Sequence, residues 1–344
     1  LIQMPNLNKL AAQSTVFEHT YVTQPVCQPA RSTLLTGLYP HAAGDLTGDL
    51  FNRLKSVSSC LPELVERGDY TCGHYGKWHL GDDVFAQHGF DDWISIEDMQ
   101  HREFYSEGRD TFQNCTYHEY LVNHGFEPDQ KAPDGFEAFS LGCCARLPEE
   151  YGKPAFLARE ASRFIRENQA QPFILYVSIF EPHQPYFSPR DNQYDPTQVT
   201  LPPNFAKVPT EEQPLKTRVL YHIYEESGFG VPLKTERDWR QLIANYWGLC
   251  SLVDTHVGTI LDTLAECGLD DNTIVVFTSD HGDMMGSHRL RGKGLMFEES
   301  VRVPLLIRLP GQETCSRVQG AVSQADLVPT LLDLMDQQIP DHLQ

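Results

Sequence analysis

Two apolar runs limit most strongly how this chain can fold: Phe-Ile-Leu-Tyr-Val-Ser-Ile-Phe at 173–180 and Ile-Val-Val-Phe-Thr-Ser at 274–279. Neither alternates apolar with polar residues, so each reads as a strand covered on both faces, the pattern of parallel sheets. An amphipathic stretch, 155–168, precedes the first run. The second follows a long helical stripe that starts near Trp239, carries Leu242, Leu249, Leu252, Val253 and Leu264, and stops at Gly268. Both runs open into polar loops, Glu181-Pro182-His183-Gln184 and Asp280-His281-Gly282-Asp283. Helix, buried strand and polar loop in alternation predict an α/β fold, a mostly parallel central sheet sandwiched by helices. In such sheets ligands bind beyond the carboxyl ends of the strands, so these loops should converge.

The rest of the chain fits that plan. Leu7, Leu10 and Ala11 fall at helical spacing, and 15–21 is β-branched and aromatic enough for a strand. A short helix is expected from about Ala30 to Gly37, another over 61–67 closed by Gly68, a strand over 70–75, a strand over 304–309, and a helix over 326–335 with Pro329 in its first turn. Two stretches, 95–150 and 185–237, resist assignment and are rich in Pro, Gly, Asp and aromatics. Long irregular segments in a compact domain are commonly binding loops, so both are expected to wall a substrate pocket within one catalytic domain spanning 1–344.

Charge narrows the partners. With 47 Asp and Glu against 27 Lys and Arg, the net charge of -20 disfavours nucleic acid and anionic lipid. An anionic substrate therefore needs a local positive cluster, for which Arg31, Lys77 and Lys293 are the candidates. No apolar run reaches the roughly 18 to 20 residues that span a bilayer. Of nine cysteines, removing Cys27 leaves eight, either disulfides or buried thiols, and no CxxC zinc spacing is present.

Chemistry concentrates in four short runs. Cys27-Gln28-Pro29-Ala30-Arg31 places a thiol before a helix start, where backbone N–H groups favour a developing anion, with a guanidinium four residues on. Gly76-Lys77-Trp78-His79-Leu80-Gly81 puts Lys77 and His79 on one side of an extended loop. His183 ends the first apolar run between two prolines, and Asp280-His281 ends the second. Lys293 follows in Arg291-Gly292-Lys293-Gly294, with Arg289 and Arg291 as neighbouring cations.

Taken in order, these runs resemble the type I, formylglycine-dependent sulfatases of the alkaline phosphatase superfamily, and the similarity extends from about Pro5 to Leu334. The resemblance implies that Cys27 is oxidised to formylglycine by a formylglycine-generating or anaerobic sulfatase-maturating enzyme, and that its hydrated form attacks sulfur, a covalent route split into two easier steps. It further implies that Lys77 binds the sulfate, that His79 takes the proton that releases sulfate, and that His183 and Lys293 act on the leaving group. Asp280, His281 and modified Cys27 would ligate a cation, Ca²⁺ rather than Mn²⁺. The implied substrate is a sulfated carbohydrate or aryl sulfate, and the implied location periplasmic, secreted or lysosomal.

The chain also departs from the family pattern. An Asp-Asp pair at the end of a first strand and a smaller C-terminal subdomain are both missing, so the expectation is a fragment with half a cation site. Two rival readings share the motifs: a phosphonate monoester or phosphodiester hydrolase of the same superfamily, and a non-catalytic binding protein on a sulfatase scaffold.

Overall fold

The computed structural model describes residues 2–43, 54, 58–66, 70–97, 105–127, 147–226 and 233–343. In chain order the elements are α1 (Pro5–Ala12), β1 (Thr15–Tyr21), α2 (Cys27–Thr36), α3 (Pro40–Ala43), α4 (Leu61–Leu64), β2 (Thr71–Gly76) and β3 (Asp92–Ser95). There follow α5 (Thr116–Asn123), α6 (Lys153–Glu167), β4 (Phe173–Ser178), α7 (Leu215–Glu226), α8 (Glu236–Glu266) and β5 (Val275–Thr278). Last come α9 (Glu298–Val301), β6 (Arg302–Val303), β7 (Leu305–Arg308), β8 (Ser316–Ser323) and α10 (Leu327–Leu334).

The expected α/β sandwich is present, with its strands in two sheets. One is wholly parallel, in the order β3-β2-β4. The other is mixed: β5, β7, β1 and β6 run antiparallel to their neighbours, while β8 lies parallel beside β1. Alternation along β7 shows how helices clothe the mixed sheet. Leu305 and Ile307 face Leu34 of α2 and Leu327 of α10, whereas Leu306 faces Leu7 and Leu10 of α1 and Val257 of α8. In the parallel sheet Tyr75 packs on Phe156, Leu157 and Phe164 of α6. Its opposite face, with Cys72 and Ile174, packs on Trp78 and Phe90.

Several details depart from the sequence reading. The two apolar runs form β4 and β5, yet each has a single strand partner among the described residues, so most of their side chains are only half-buried. Of the two only β4 is in a parallel ladder, because β5 pairs antiparallel with β7. Helix α2 begins at Cys27 rather than Ala30, with Pro29 tolerated in its first turn. Helix α4 stops at Leu64, and 67–69 lie outside the described residues. The first irregular stretch contains α5 and the second contains α7; 98–104, 128–146 and 227–232 lie outside the described residues. Of the described cysteines, Cys27, Cys60, Cys72 and Cys115 are buried.

Candidate active site

Val26 is extended at the N-cap of α2, so Cys27 is the first helical residue, and its side chain is buried. Three loops meet there. The first leaves β2 at Gly76, whose φ is +116° and where a Cβ would lie 2.0 Å from the Ser178 carbonyl oxygen; only glycine permits this approach. The Lys77 N–H then bonds that same carbonyl at 3.0 Å. The loop is not extended through His79, whose φ is +61°. Lys77 nonetheless acts on Cys27 by its charge, and His79 is coupled electrostatically to the same thiol.

The second loop follows β4. His183 Nδ1 donates to the Gln184 carbonyl at 2.7 Å, which leaves Nε2 for Cys27. The third loop follows β5, where His281 Nδ1 donates to the Gly282 carbonyl at 2.8 Å and Nε2 lies 3.2 Å from Cys27 Sγ. Gly282 is required here as well, since a Cβ would meet the Glu299 carbonyl oxygen at 2.0 Å. Further along the same loop Lys293 comes onto Cys27, and its neighbour Gly294 donates to the Pro25 carbonyl at 2.8 Å. Of the three neighbouring cations, Lys293 is the one that reaches the thiol. Arg291 turns inward to Gln184, and Arg289 lies over the Phe205 ring.

Charge at the site follows from these contacts. Burial pushes the Cys27 thiol up, but Lys77, Lys293 and hydrogen bonds from His183 and His281 outweigh it and hold the thiol well below its ordinary range. Burial and the Lys77 charge keep His79 below its usual value, and burial does the same to His183. His281 moves the other way. Burial opposes its protonation, but Asp280 and Cys27 prevail and raise it. Asp280 is held low although burial pushes it up, because His281, Arg31 and Lys293 surround it. The pocket thus concentrates positive charge inside a strongly negative chain.

Arg31 has a different placement from the other cations. Its Nε donates to the Trp78 carbonyl at 2.9 Å, its Nη2 to the Lys77 carbonyl and, at 2.6 Å, to Ser178 Oγ, and its Nη1 lies 3.4 Å from Asp280. One guanidinium therefore joins α2 to the ends of β2, β4 and β5. The structure also adds residues that motif reading missed. Gln324, buried before α10, donates to the Ser279 carbonyl at 2.8 Å and the Asp280 carbonyl at 3.2 Å. Behind Lys77 lie Glu97, 3.9 Å from its Nζ, and Asp83. No local pattern marks any of the three.

Cys27 Sγ and the donors of Asp280 and His281 lie within 4.8 Å of one another. The carboxylate and imidazole fit a divalent cation, and Sγ marks where oxygens of an oxidised side chain would project. Asp280 would supply one of the six to eight oxygens that Ca²⁺ takes, with the imidazole as a nitrogen neighbour. Among the described residues no helix is long and apolar enough to cross a membrane.

The sulfatase family model matches residues 1–337. The ulvan-active sulfatase of Formosa agariphila is 28% identical over 360 aligned residues, which cover 100% of this chain and 59% of that protein. The N-acetylglucosamine-6-O-sulfatase of Bacteroides thetaiotaomicron is 27% identical over 386 residues, covering 100% of this chain and 65% of that protein. The chain thus spans about three-fifths of the length of these relatives. Among solved structures, the phosphonate monoester hydrolase from Silicibacter pomeroyi superposes with a TM-score of 0.81 at 22% identity, over 100% of this chain and 70% of that one, a likeness of fold.

Proposed function

Because the chain belongs to the sulfatase family, we propose that its parent protein hydrolyses a sulfate ester through a formylglycine made from Cys27. The observation that carries this reading is the ring of groups around one buried atom: His281 Nε2 lies 3.2 Å from Cys27 Sγ, and Lys77, His79, His183 and Lys293 are coupled electrostatically to the same thiol. A buried cysteine kept for packing needs no such company.

The oxidised side chain, when present, supplies an oxygen nucleophile that a thiol lacks. Lys77 and Lys293 hold the tetrahedral anion against it, their charges strengthened by the low dielectric of the pocket. With Nδ1–H given to the Gln184 carbonyl, His183 serves the ester oxygen through Nε2 once the charge of the bound anion has drawn a proton onto it, and Lys293 completes the proton supply to the leaving alcohol. His79, kept neutral by burial and by Lys77, is suited to accept a proton as sulfate departs. Asp280 and His281 would hold a divalent cation, for which we propose Ca²⁺, and it would withdraw charge from the sulfate oxygens. Arg31 sets the positions of these loops.

A sulfated carbohydrate or aryl sulfate is the proposed substrate class, and the proposed location is periplasmic, secreted or lysosomal. Maturation requires an enzyme that oxidises Cys27. The deciding experiment pairs mass spectrometry of the peptide containing residue 27 with turnover of an aryl sulfate and an aryl phosphonate by the full-length protein. Conversion of the thiol to an aldehyde and preference for the sulfate are expected. An intact thiol in an active preparation would refute the proposed nucleophile, and dominance of the phosphonate would move the reading to the fold neighbour's chemistry.

A further inference from the structure

His183 and Lys293 are carried by loops that leave strands of different sheets, β4 and β5. Two buried side-chain rungs join those loops. In the first, Arg291 Nη1 donates to Gln184 Oε1 at 3.0 Å. In the second, the Tyr186 hydroxyl donates to Asp283 Oδ2 at 2.7 Å. Each rung lies close to a site residue along the chain. Gln184 directly follows His183 and Tyr186 is three residues on, while Arg291 is two residues before Lys293. Asp283 uses its other oxygen on the Gly292 N–H at 2.8 Å, holding the backbone beside Lys293. Behind the rungs, Asn245 of α8 donates to the Tyr186 carbonyl at 3.0 Å, which fixes the assembly to the longest helix.

Arg291 is 2% exposed and Tyr186 1%. Burying a guanidinium and a phenol costs free energy that their bonds only partly return, and apolar side chains of similar volume would hold two loops together at least as well. What directional bonds add is position. Leaving-group protonation needs donors held within about half an ångström of the productive geometry, which loops alone do not provide.

We propose that Gln184, Tyr186, Asp283 and Arg291 are positioning residues that clasp the two loops and hold His183 and Lys293 on the leaving-group side of Cys27. The proposal rests on the reading of His183 and Lys293 as proton donors to the leaving alcohol. Neither rung touches Cys27, and neither is needed for anion binding by Lys77.

The test uses the mature full-length enzyme with Tyr186→Phe and Gln184→Ala, assayed on aryl sulfates whose phenols span several pKa units. Each variant should lose at least tenfold in kcat on the poorest leaving group and less than threefold on the most activated one, with KM within twofold and an unchanged formylglycine content. An equal loss across the series, or none, overturns the clasp. Asp283→Asn is read in place of any variant that does not fold. His183→Ala serves as the reference: if it shows no leaving-group dependence, the proton-donor reading itself fails. The clasp is then judged by calorimetry with inorganic sulfate, where at least fivefold weaker binding in both variants supports it and unchanged binding overturns it.

Discussion

Asp83 shows how far a single residue beside the site can shape the protein's response to pH. It is buried behind Lys77, and burial first, then Glu97, pushes its carboxyl up to about 7 from an ordinary 3.8, against weaker pulls from the Leu80 N–H, Lys77 and Arg31. A carboxyl raised on folding makes no difference where both states are protonated, below about pH 4. As pH rises from 4 towards 7 the unfolded chain ionises while the folded one does not, so stability falls, and the loss levels off above 7. The shift of about three units bounds the effect at ~4 kcal/mol. Asp83→Asn keeps an oxygen for the Leu80 N–H and should be about 1 to 4 kcal/mol more stable than the parent at pH 8, yet nearly equal to it at pH 4. Urea unfolding at the two pH values measures this, and equal stability at pH 8 would remove the buried-carboxyl account.

At the scale of elements, the junction of α2, β2, β4 and β5 depends on Arg31. Lysine carries the same charge but a single point donor, and cannot reach the Trp78 and Lys77 carbonyls, Ser178 Oγ and Asp280 together. Arg31→Lys should therefore cost about 2 to 4 kcal/mol by leaving buried acceptors unpaired, visible as a lower denaturant midpoint and a large loss of turnover. A midpoint within error of the parent would reduce Arg31 to a ligand of the anion alone. Gly76→Ala should fail more severely, since its Cβ has no room beside the Ser178 carbonyl, and soluble expression at the parent level would contradict that close approach. The same elements show what could be read from sequence. Two of the strands that carry site loops, β4 and β5, announce themselves as apolar runs, and the four motifs name the residues around Cys27, because both signals are local. Strand β8 went unseen because Ser316–Ser323 is a mostly exposed, polar edge. The true start of α8 was legible but overlooked, in the capping box of Thr235 and Asp238. Gln324 and Glu97 lie outside the motifs they support, and only the folded chain brings them there.

For the whole molecule, the site lies where loops from both sheets meet, so a ligand held there should couple them. Asp280 and His281 extend from the mixed sheet, while Lys77, His79 and His183 extend from the parallel one. A cation bound only by the folded state at a hundred times its dissociation constant stabilises by about 2.7 kcal/mol, worth roughly 3 to 8 °C in Tm for a chain of this size. A net charge of -20 complicates the measurement, because any divalent ion screens self-repulsion and raises Tm without a site. The two effects separate by residue and by ion. In the full-length protein Ca²⁺ should raise Tm more than Mg²⁺ at equal ionic strength, a chelator should reverse the rise and abolish turnover, and Asp280→Ala should respond to the two ions alike. If Asp280→Ala keeps the full Ca²⁺ increment, the ion is acting on the charge of the whole surface, and the cluster of Cys27, Asp280 and His281 holds no cation of its own.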